Sequence, residues 1–280
     1  MSDGLPPAGF TNDVGPQDDL GFAADLAYRT GEFLLEYYRP GGLPVHLKAD
    51  RSVVTQADLD ADHLIAETIR AAYPEDAILS EELHQFSPSS NRGSLWVIDP
   101  LDGTTNFSLG LHIWGVAIAR LVNGFPQTAA IYFPLLHELY TGEINGGASL
   151  NGEPIHAEPP NRDKPAAFFA CCGHTHRNYD VSVPYKPRIL GSAAYNFCAV
   201  ARGAAVLCFE ARPKVWDLAA AWVLVTAAGG VIQVHHGSPP FPIRPGLDYT
   251  DLAFPCLAAA TEKMVAKGLE MIRPKNLQEK

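Results

Sequence analysis

Between Asp18 and Tyr38 the small and apolar residues Leu20, Ala24, Ala27, Gly31, Leu34 and Tyr38 recur at helical spacing, and Pro40-Gly41-Gly42 stops the run. A second stripe of Leu59, Ala66, Ile69 and Tyr73 predicts a helix from Asp58 to Tyr73, ended by Pro74. Short apolar runs at Ala77 to Leu79, Leu95 to Ile98 and Ile113 to Val122 predict strands. The last run meets the turn signal Asn123-Gly124, and a further run from Thr128 to Phe133 completes an antiparallel pair. Beyond Asn151-Gly152 strands are expected at Ala166 to Cys172, Ala204 to Phe209, Val231 to Val234 and Cys256 to Ala260. Helices are expected at Ser192 to Ala201, Asp217 to Ala228 (ended by Gly229-Gly230) and Thr261 to Met271. Helices and strands mix along the whole chain and hairpins are present, which favours an α+β layered sandwich over a doubly wound parallel sheet.

Composition narrows the class. The 280 residues are 47% apolar, too apolar for disorder, and at this length about 75% of the unfolded surface can be buried without staples. No boundary is linker-like, so residues 18–280 read as a single domain, with one half to about 150 and a second from 151 to 280. Residues 1–17 are polar, contain Gly and Pro and lack a basic segment, so they predict a mobile tail and not a secretory signal. No run approaches the ~18 apolar residues of a membrane span. A net charge of −10 argues against duplex nucleic acid, whose phosphates need a basic face. The five cysteines, Cys171, Cys172, Cys198, Cys208 and Cys256, have no framework spacing and read as reduced core thiols of a cytoplasmic protein.

Chemistry concentrates in Leu95-Trp96-Val97-Ile98-Asp99-Pro100-Leu101-Asp102-Gly103-Thr104-Thr105-Asn106-Phe107. An apolar strand delivers Asp99 at its end, and Pro100, which has no N–H, is expected to turn the chain there. Asp102 follows in the same turn, Gly103 permits close backbone approach, and Thr104 and Thr105 offer hydroxyls and free amides at a helix start. Two carboxylates ~4 Å apart repel by about 4 kcal/mol at an effective dielectric near 20. Such crowding is tolerable with a cation between them, and an oxygen-only donor set suits a hard ion such as Mg²⁺. A lone Asp-x-x-Asp-Gly is more often a capped turn. Two further acids change that balance: Ser80-Glu81-Glu82 also ends a short strand, and Trp216-Asp217 opens an apolar helix with Asp217 at the expected cap position.

These motifs resemble the inositol monophosphatase family of lithium-sensitive, magnesium-dependent phosphomonoesterases. The match includes Asp99 to Phe107, Ser80-Glu81-Glu82, Val54-Thr55-Gln56-Ala57-Asp58, Arg188 to Ala194, Asn151 to Ile155 and Trp216 to Ala221, in order, over about residues 20–270. The resemblance implies a five-layered αβαβα sandwich, commonly a homodimer. It implies that Glu81, Asp99 and the Leu101 carbonyl hold one Mg²⁺, and that Asp99, Asp102 and Asp217 hold a second. A weaker third ion would share Glu81 through water. Asp58 and Thr104 would orient and activate the attacking water, and the amides of Gly103 and Thr104 would cradle the phosphate. Gly191, Ser192 and Ala193 would line the alcohol side, with Glu210 as a hydroxyl-binding acid. The implied activity is hydrolysis of a small polyol phosphate such as inositol 1-phosphate. Histidinol phosphate, fructose 1,6-bisphosphate and 3′-phosphoadenosine 5′-phosphate are alternative substrates, and a non-catalytic regulatory binding protein on the same fold is a different class.

Two departures bear on the alcohol. Gly110-Leu111-His112-Ile113-Trp114 replaces the usual residues after the metal loop, and Lys48-Ala49-Asp50-Arg51-Ser52 looks more like relatives acting on histidinol phosphate or nucleotide bisphosphates. Rival chemistries fare poorly. Cys171 to Arg177 has the C-x5-R spacing of cysteine phosphatases, but no His precedes it and no hydroxyl residue follows Arg177. The pairs His174/His176 and His235/His236 fit no closed metal site and read as solvated loop histidines. No Gly-Lys-Ser/Thr is present, and the Asp99–Asp102 spacing is not an Asp-x-Asp nucleophile motif.

Overall fold

Asp18 caps the first helix by accepting from the Gly21 amide at 2.7 Å, and the face bearing Ala23, Leu26, Ala27 and Leu34 is buried. The computed structural model describes residues 18–42, 44–47, 53–83, 93–159, 167–244 and 246–275. The tail expected at 1–17 and the Lys48–Ser52 segment lie outside them. In chain order the first elements are α1 (Asp19–Tyr37), β1 (His46–Leu47), β2 (Val53–Val54), α2 (Gln56–Ala72), β3 (Ala77–Ser80), β4 (Ser94–Asp102) and α3 (Thr104–Ser108). Five strands follow: β5 (Gly115–Val122), β6 (Phe125–Phe133), β7 (Glu138–Glu143), β8 (Gly147–Leu150) and β9 (Glu153–Ile155). The remainder comprises β10 (Phe168–Cys171), α4 (Thr175–Asn178), β11 (Tyr179–Val181), β12 (Lys186–Arg188), α5 (Ala193–Ala201), β13 (Ala205–Glu210), α6 (Val215–Ala227), β14 (Val231–Val234), β15 (Cys256–Ala259), α7 (Glu262–Met271) and β16 (Ile272–Pro274).

β3 to β9 form one seven-stranded sheet in chain order, parallel at β3/β4 and antiparallel elsewhere. Asn123 and Gly124, with φ of 52° and 81°, make the tight turn joining β5 to β6. β9 still pairs with β8, so the chain leaves this sheet after Ile155. The second sheet has five strands in the order β12-β10-β13-β15-β14.

Strand periodicity sorts the core into layers. Trp96, Ile98, Val116, Ile118 and Tyr132 face α1 and α2, while Val97, Ala117, Ala119, Ile131 and Phe133 face α5 and α6. Ala170, Cys208, Cys256 and Ala258 of the second sheet meet α5 and α6 from the other side. Phe169, Leu207, Phe209 and Leu257 turn to Val265 of α7. The order helices, sheet, helices, sheet, helix is the five-layered αβαβα sandwich that the sequence resemblance implies.

Three local expectations need correction. Pro100 does not end β4: the ladder slips between Asp99 and Asp102 and resumes at the Asp102–Gly115 pair, because a bulge absorbs the missing donor. Asp58 does not start α2. Thr55 is the N-cap, and Asp58 is the acid three residues on that accepts from the Thr55 amide at 2.8 Å. Asp217 likewise is not the cap of α6 but reaches back to the Lys214 amide at 2.6 Å.

Candidate active site

Each acidic side chain sits where an element ends. The bulge at the end of β4 turns Asp99 and Asp102 toward the first turn of α6, which carries Asp217. One ligand oxygen from each of Asp99, Asp102 and Asp217 lies within 4.8 Å of the other two. Glu81, on the turn after β3, lines the same cleft of ≈ 400 Å³, together with Leu101, Gly103, Thr104 and His174. Gly103 has φ of 89°, and a Cβ there would meet the Ile113 carbonyl at 3.0 Å, so the cleft floor requires glycine. The Gly103 carbonyl accepts from the Phe107 amide at 3.0 Å, which makes Gly103 the start of the α3 turn, where helix geometry leaves the leading amides without intrahelical acceptors.

Like charges crowd this site. Burial, then the charges of Glu81, Asp102 and Asp217, hold the Asp99 carboxyl well above the ordinary range. Burial raises Asp102 to about 6 against hydrogen bonds from Ser192 and the amides of Ala194 and Ala193. Burial and the charges of Glu81 and Asp102 also raise Asp217. Three to four convergent carboxylates, with no Lys or Arg among the described residues of the cleft wall, fit a hard divalent cation.

Asp58 lies behind this surface, 1% exposed. Its Oδ2 accepts from the Thr55 hydroxyl at 2.6 Å, and the Thr104 hydroxyl is 3.0 Å from both Asp58 Oδ1 and the Leu101 carbonyl. Thr104 alone of this pair reaches the cleft. Burial, opposed by hydrogen bonds from Thr55 and Thr104, lifts Asp58 to about 6.

A second cavity of ≈ 510 Å³ adjoins the first, sharing Thr105, His174 and Gly191. Gly191, Ser192, Ala193 and Glu210 line it, as expected, along with Asn106, Cys172, Arg177 and Asn196. The Ser192 hydroxyl and the Ala193 amide (3.0 Å) donate to Asp102, which joins the two cavities rigidly. Asn106 Nδ2 adds bonds to the Ile113 and Leu190 carbonyls at 2.7 and 2.8 Å. Gly191 has φ of 81°, and a Cβ there would meet Asn106 Oδ1 at 2.5 Å. Glu210 is buried, takes a 2.6 Å hydrogen bond from Asn196 and is raised by burial to about 7.

His174 corrects the solvated-histidine expectation. It is half-buried at the junction of the cavities, with its pKa lowered by burial and by Arg212 and Arg177. His235 is also half-buried, with Nε2 2.7 Å from the Ile272 carbonyl. All five cysteines are free; Cys172 is half-buried, packs against the core cluster of Phe169, Cys171 and Phe209, and also lines the second cavity. Burial pushes the Cys171 thiol up to about 12 and raises Cys172, the reverse of what a thiolate nucleophile needs. Sequence reasoning missed Asn196 and Asp62 altogether, and weighed Arg177 only as part of a rejected cysteine-phosphatase spacing. Only the i, i+4 spacing of Asp58 and Asp62, which puts both acids on one face of α2, offered a signal for Asp62.

A layered α+β scaffold with an acidic cluster at converging strand and helix ends defines a class of phosphatase hydrolases. The chain belongs to the inositol monophosphatase family, whose model matches residues 16–270. It is 35% identical over 230 residues to a histidinol-phosphatase of Chlorobaculum parvum, covering 78% of this chain and 86% of that one. A Nus factor SuhB of Pasteurella multocida is 31% identical over 268 residues, covering 91% and 96%. The structure of a Thermotoga maritima IMPase superposes with a TM-score of 0.76 at 24% identity, covering 91% of this chain and 96% of that chain. Among the described residues no helix is long and apolar enough to cross a membrane.

Proposed function

We propose that this protein is a Mg²⁺-dependent phosphomonoesterase acting on a small polyol phosphate such as inositol 1-phosphate. The observation that carries the reading is the set Asp99, Asp102 and Asp217, mutually within 4.8 Å beside the Gly103–Thr104 turn. Glu81, Asp99 and the Leu101 carbonyl would hold one ion, Asp99, Asp102 and Asp217 a second, and Glu81 a weaker third through water. When bound, divalent ions neutralise phosphate charge and lower the pKa of water.

The chain's own residues supply the rest. The amides of Gly103 and Thr104 bind phosphate oxygens at the positive start of α3. Thr104, donating its hydroxyl proton to Asp58, keeps a lone pair for the attacking water, and Asp58 is the proton sink behind it. The buried bonds from Thr55 hold Asp58 in place. Gly191, Ser192 and Ala193 form the wall against the leaving alcohol, and Glu210 accepts its hydroxyls. In-line displacement then needs only positioning and charge neutralisation.

A second reading, histidinol phosphate, draws support from Glu210: a buried acid on the alcohol side pairs with an amine as readily as with vicinal hydroxyls. The first relative named above carries that activity in its name. The continuous core between the two sheets supports one domain over residues 18–280, and we extend the reading to a lithium-sensitive cytoplasmic homodimer. Phosphate release from inositol 1-phosphate, histidinol phosphate, fructose 1,6-bisphosphate and 3′-phosphoadenosine 5′-phosphate, with Mg²⁺ and then with EDTA, tests it. Fastest release from the polyol monophosphate, abolished by EDTA, is expected. Preference for histidinol phosphate would select the second reading, and a folded protein inert on all four esters would point to a regulatory binder.

A further inference from the structure

Glu81 reaches the cleft from a turn: β3 ends at Ser80, the Glu81 amide still donates to the Ile98 carbonyl of β4 at 3.2 Å, and residues 81–83 form the turn itself. A carboxylate with no solvent exposure fastens that turn. Asp62 Oδ2 accepts from the Ser80 hydroxyl at 2.6 Å, the Glu82 amide at 3.1 Å and the Leu83 amide at 3.0 Å. The Leu83 amide also lies 3.2 Å from Ser80 Oγ. Among the described residues Asp62 Oδ1 is buried without a hydrogen-bond partner. Burying a carboxylate is costly unless strong bonds offset it, so this acid is retained against a penalty. Bonds to an ionised acceptor are roughly twice as strong as neutral ones, which suits a group that must hold a short turn still.

Asp62 lies one helical turn after Asp58 on α2. Asp58 bonds to Thr55 and Thr104, and Asp62 bonds to the Glu81 turn. One face of one helix therefore aligns two arms of the cleft. We propose that Asp62 is a positioning residue: it holds the Ser80–Leu83 turn so that Glu81 stays in the acidic cluster, and so sets divalent-cation affinity without touching metal or substrate. The proposal rests on the reading of Glu81 as a metal ligand.

The test is Mn²⁺ binding to the full chain, followed by electron paramagnetic resonance, for Asp62→Ala, Asp62→Asn, Glu81→Ala and the Asp62→Ala/Glu81→Ala double variant. Loss of a group that orients a metal ligand weakens binding about 10–100-fold, and that range is expected for Asp62→Ala with its circular dichroism unchanged. Asp62→Asn keeps an acceptor for the three donors and should stay within about threefold of wild type. In the Glu81→Ala background Asp62→Ala should add less than about twofold, because the two act through one contact. At saturating Mg²⁺, Asp62→Ala should leave the KM for a phosphomonoester unchanged. If Asp62→Ala does not fold, Ser80→Ala replaces it in the same cycle, with a smaller loss that again vanishes in Glu81→Ala. Normal Mn²⁺ affinity in the folded single variant, or additive losses in the double variant, would overturn the proposal. Unchanged affinity in Glu81→Ala itself would remove Glu81 from the ligand set and overturn both readings together.

Discussion

In the acidic cleft Asp99, Asp102 and Asp217 confront one another within 4.8 Å, and each is raised partly by neighbouring negative charge. In the adjoining cavity Glu210 is raised chiefly by burial, and Asn196 and Cys172 donate to it. Both acids-in-the-dark cost stability, but for different reasons. Mutual repulsion is relieved by a bound cation, whereas desolvation of a single acid is relieved by a proton or a hydrogen-bonding ligand. On the proposed reading the first region gathers charge and the Glu210 end of the second reads the alcohol.

The largest effect should come from breaking the first region. Asp99→Asn is expected to abolish turnover at saturating Mg²⁺ in a phosphate-release assay. The same change removes a repelling charge, so the metal-free variant should melt higher than wild type by calorimetry, about 2–4 °C for each kcal/mol relieved. Wild-type turnover in Asp99→Asn would reject the proposed ligand set. Asp58→Asn should be next, lowering kcat by about 10²-fold or more with little change in KM, since general-base assistance is worth that much. A normal kcat with a raised KM would move Asp58 from proton transfer to binding.

The second region should respond more gently. Glu210→Gln is expected to cost several-fold in kcat/KM on the preferred polyol phosphate and nothing on a small generic phosphomonoester. Equal effects on both, or none, would mean that Glu210 does not read the alcohol. The smallest difference is thermodynamic. Asp58 and Asp102 at about 6 and Glu210 at about 7 all lie above their unfolded values, so the folded chain binds more protons from about pH 4 to 7. Stability conferred by these acids is complete below about pH 4 and is lost as pH rises through 6 to 7. With EDTA present, thermal melting should therefore occur at higher temperature at pH 5 than at pH 7.5, and added Mg²⁺ should narrow or reverse that gap. An EDTA-treated protein that melts higher at pH 7.5 would contradict it.

The two regions also differed in how readable they were. Asp99, Asp102 and Thr104 lie within six consecutive residues behind an apolar strand, so the local pattern draws attention to them, and the strand-end Glu81 and helix-start Asp217 make a site of what alone reads as a capped turn. The layered fold was legible from helices and strands mixing along the chain and from the Asn123-Gly124 hairpin turn, whereas the unbroken apolar run Leu95 to Ile98 did not say that Trp96 and Ile98 face one layer and Leu95 and Val97 the other. Asn196, by contrast, sits mid-helix in α5 and meets Glu210 only through tertiary packing. Arg177 and His174 come from the short α4 region, where neither period nor cap marks a function. β12, Lys186–Arg188, is an exposed polar edge strand that carries no apolar alternation, so its partner β10 is what defines it. Pro100 misled because a proline at a bulge costs no ladder bond.

The buried carboxylates are spaced and charged for a divalent cation. Mg²⁺ titration by calorimetry at pH 6.5, repeated in buffers of different ionisation enthalpy, tests it most directly because it counts protons as well as ions. Acids whose carboxyls are raised by burial and mutual repulsion must release protons to bind metal. The expected result is saturable binding with net proton release that shrinks by pH 8, and loss of both in Asp99→Asn. Saturable binding without proton release, or undiminished binding by Asp99→Asn, would contradict the account.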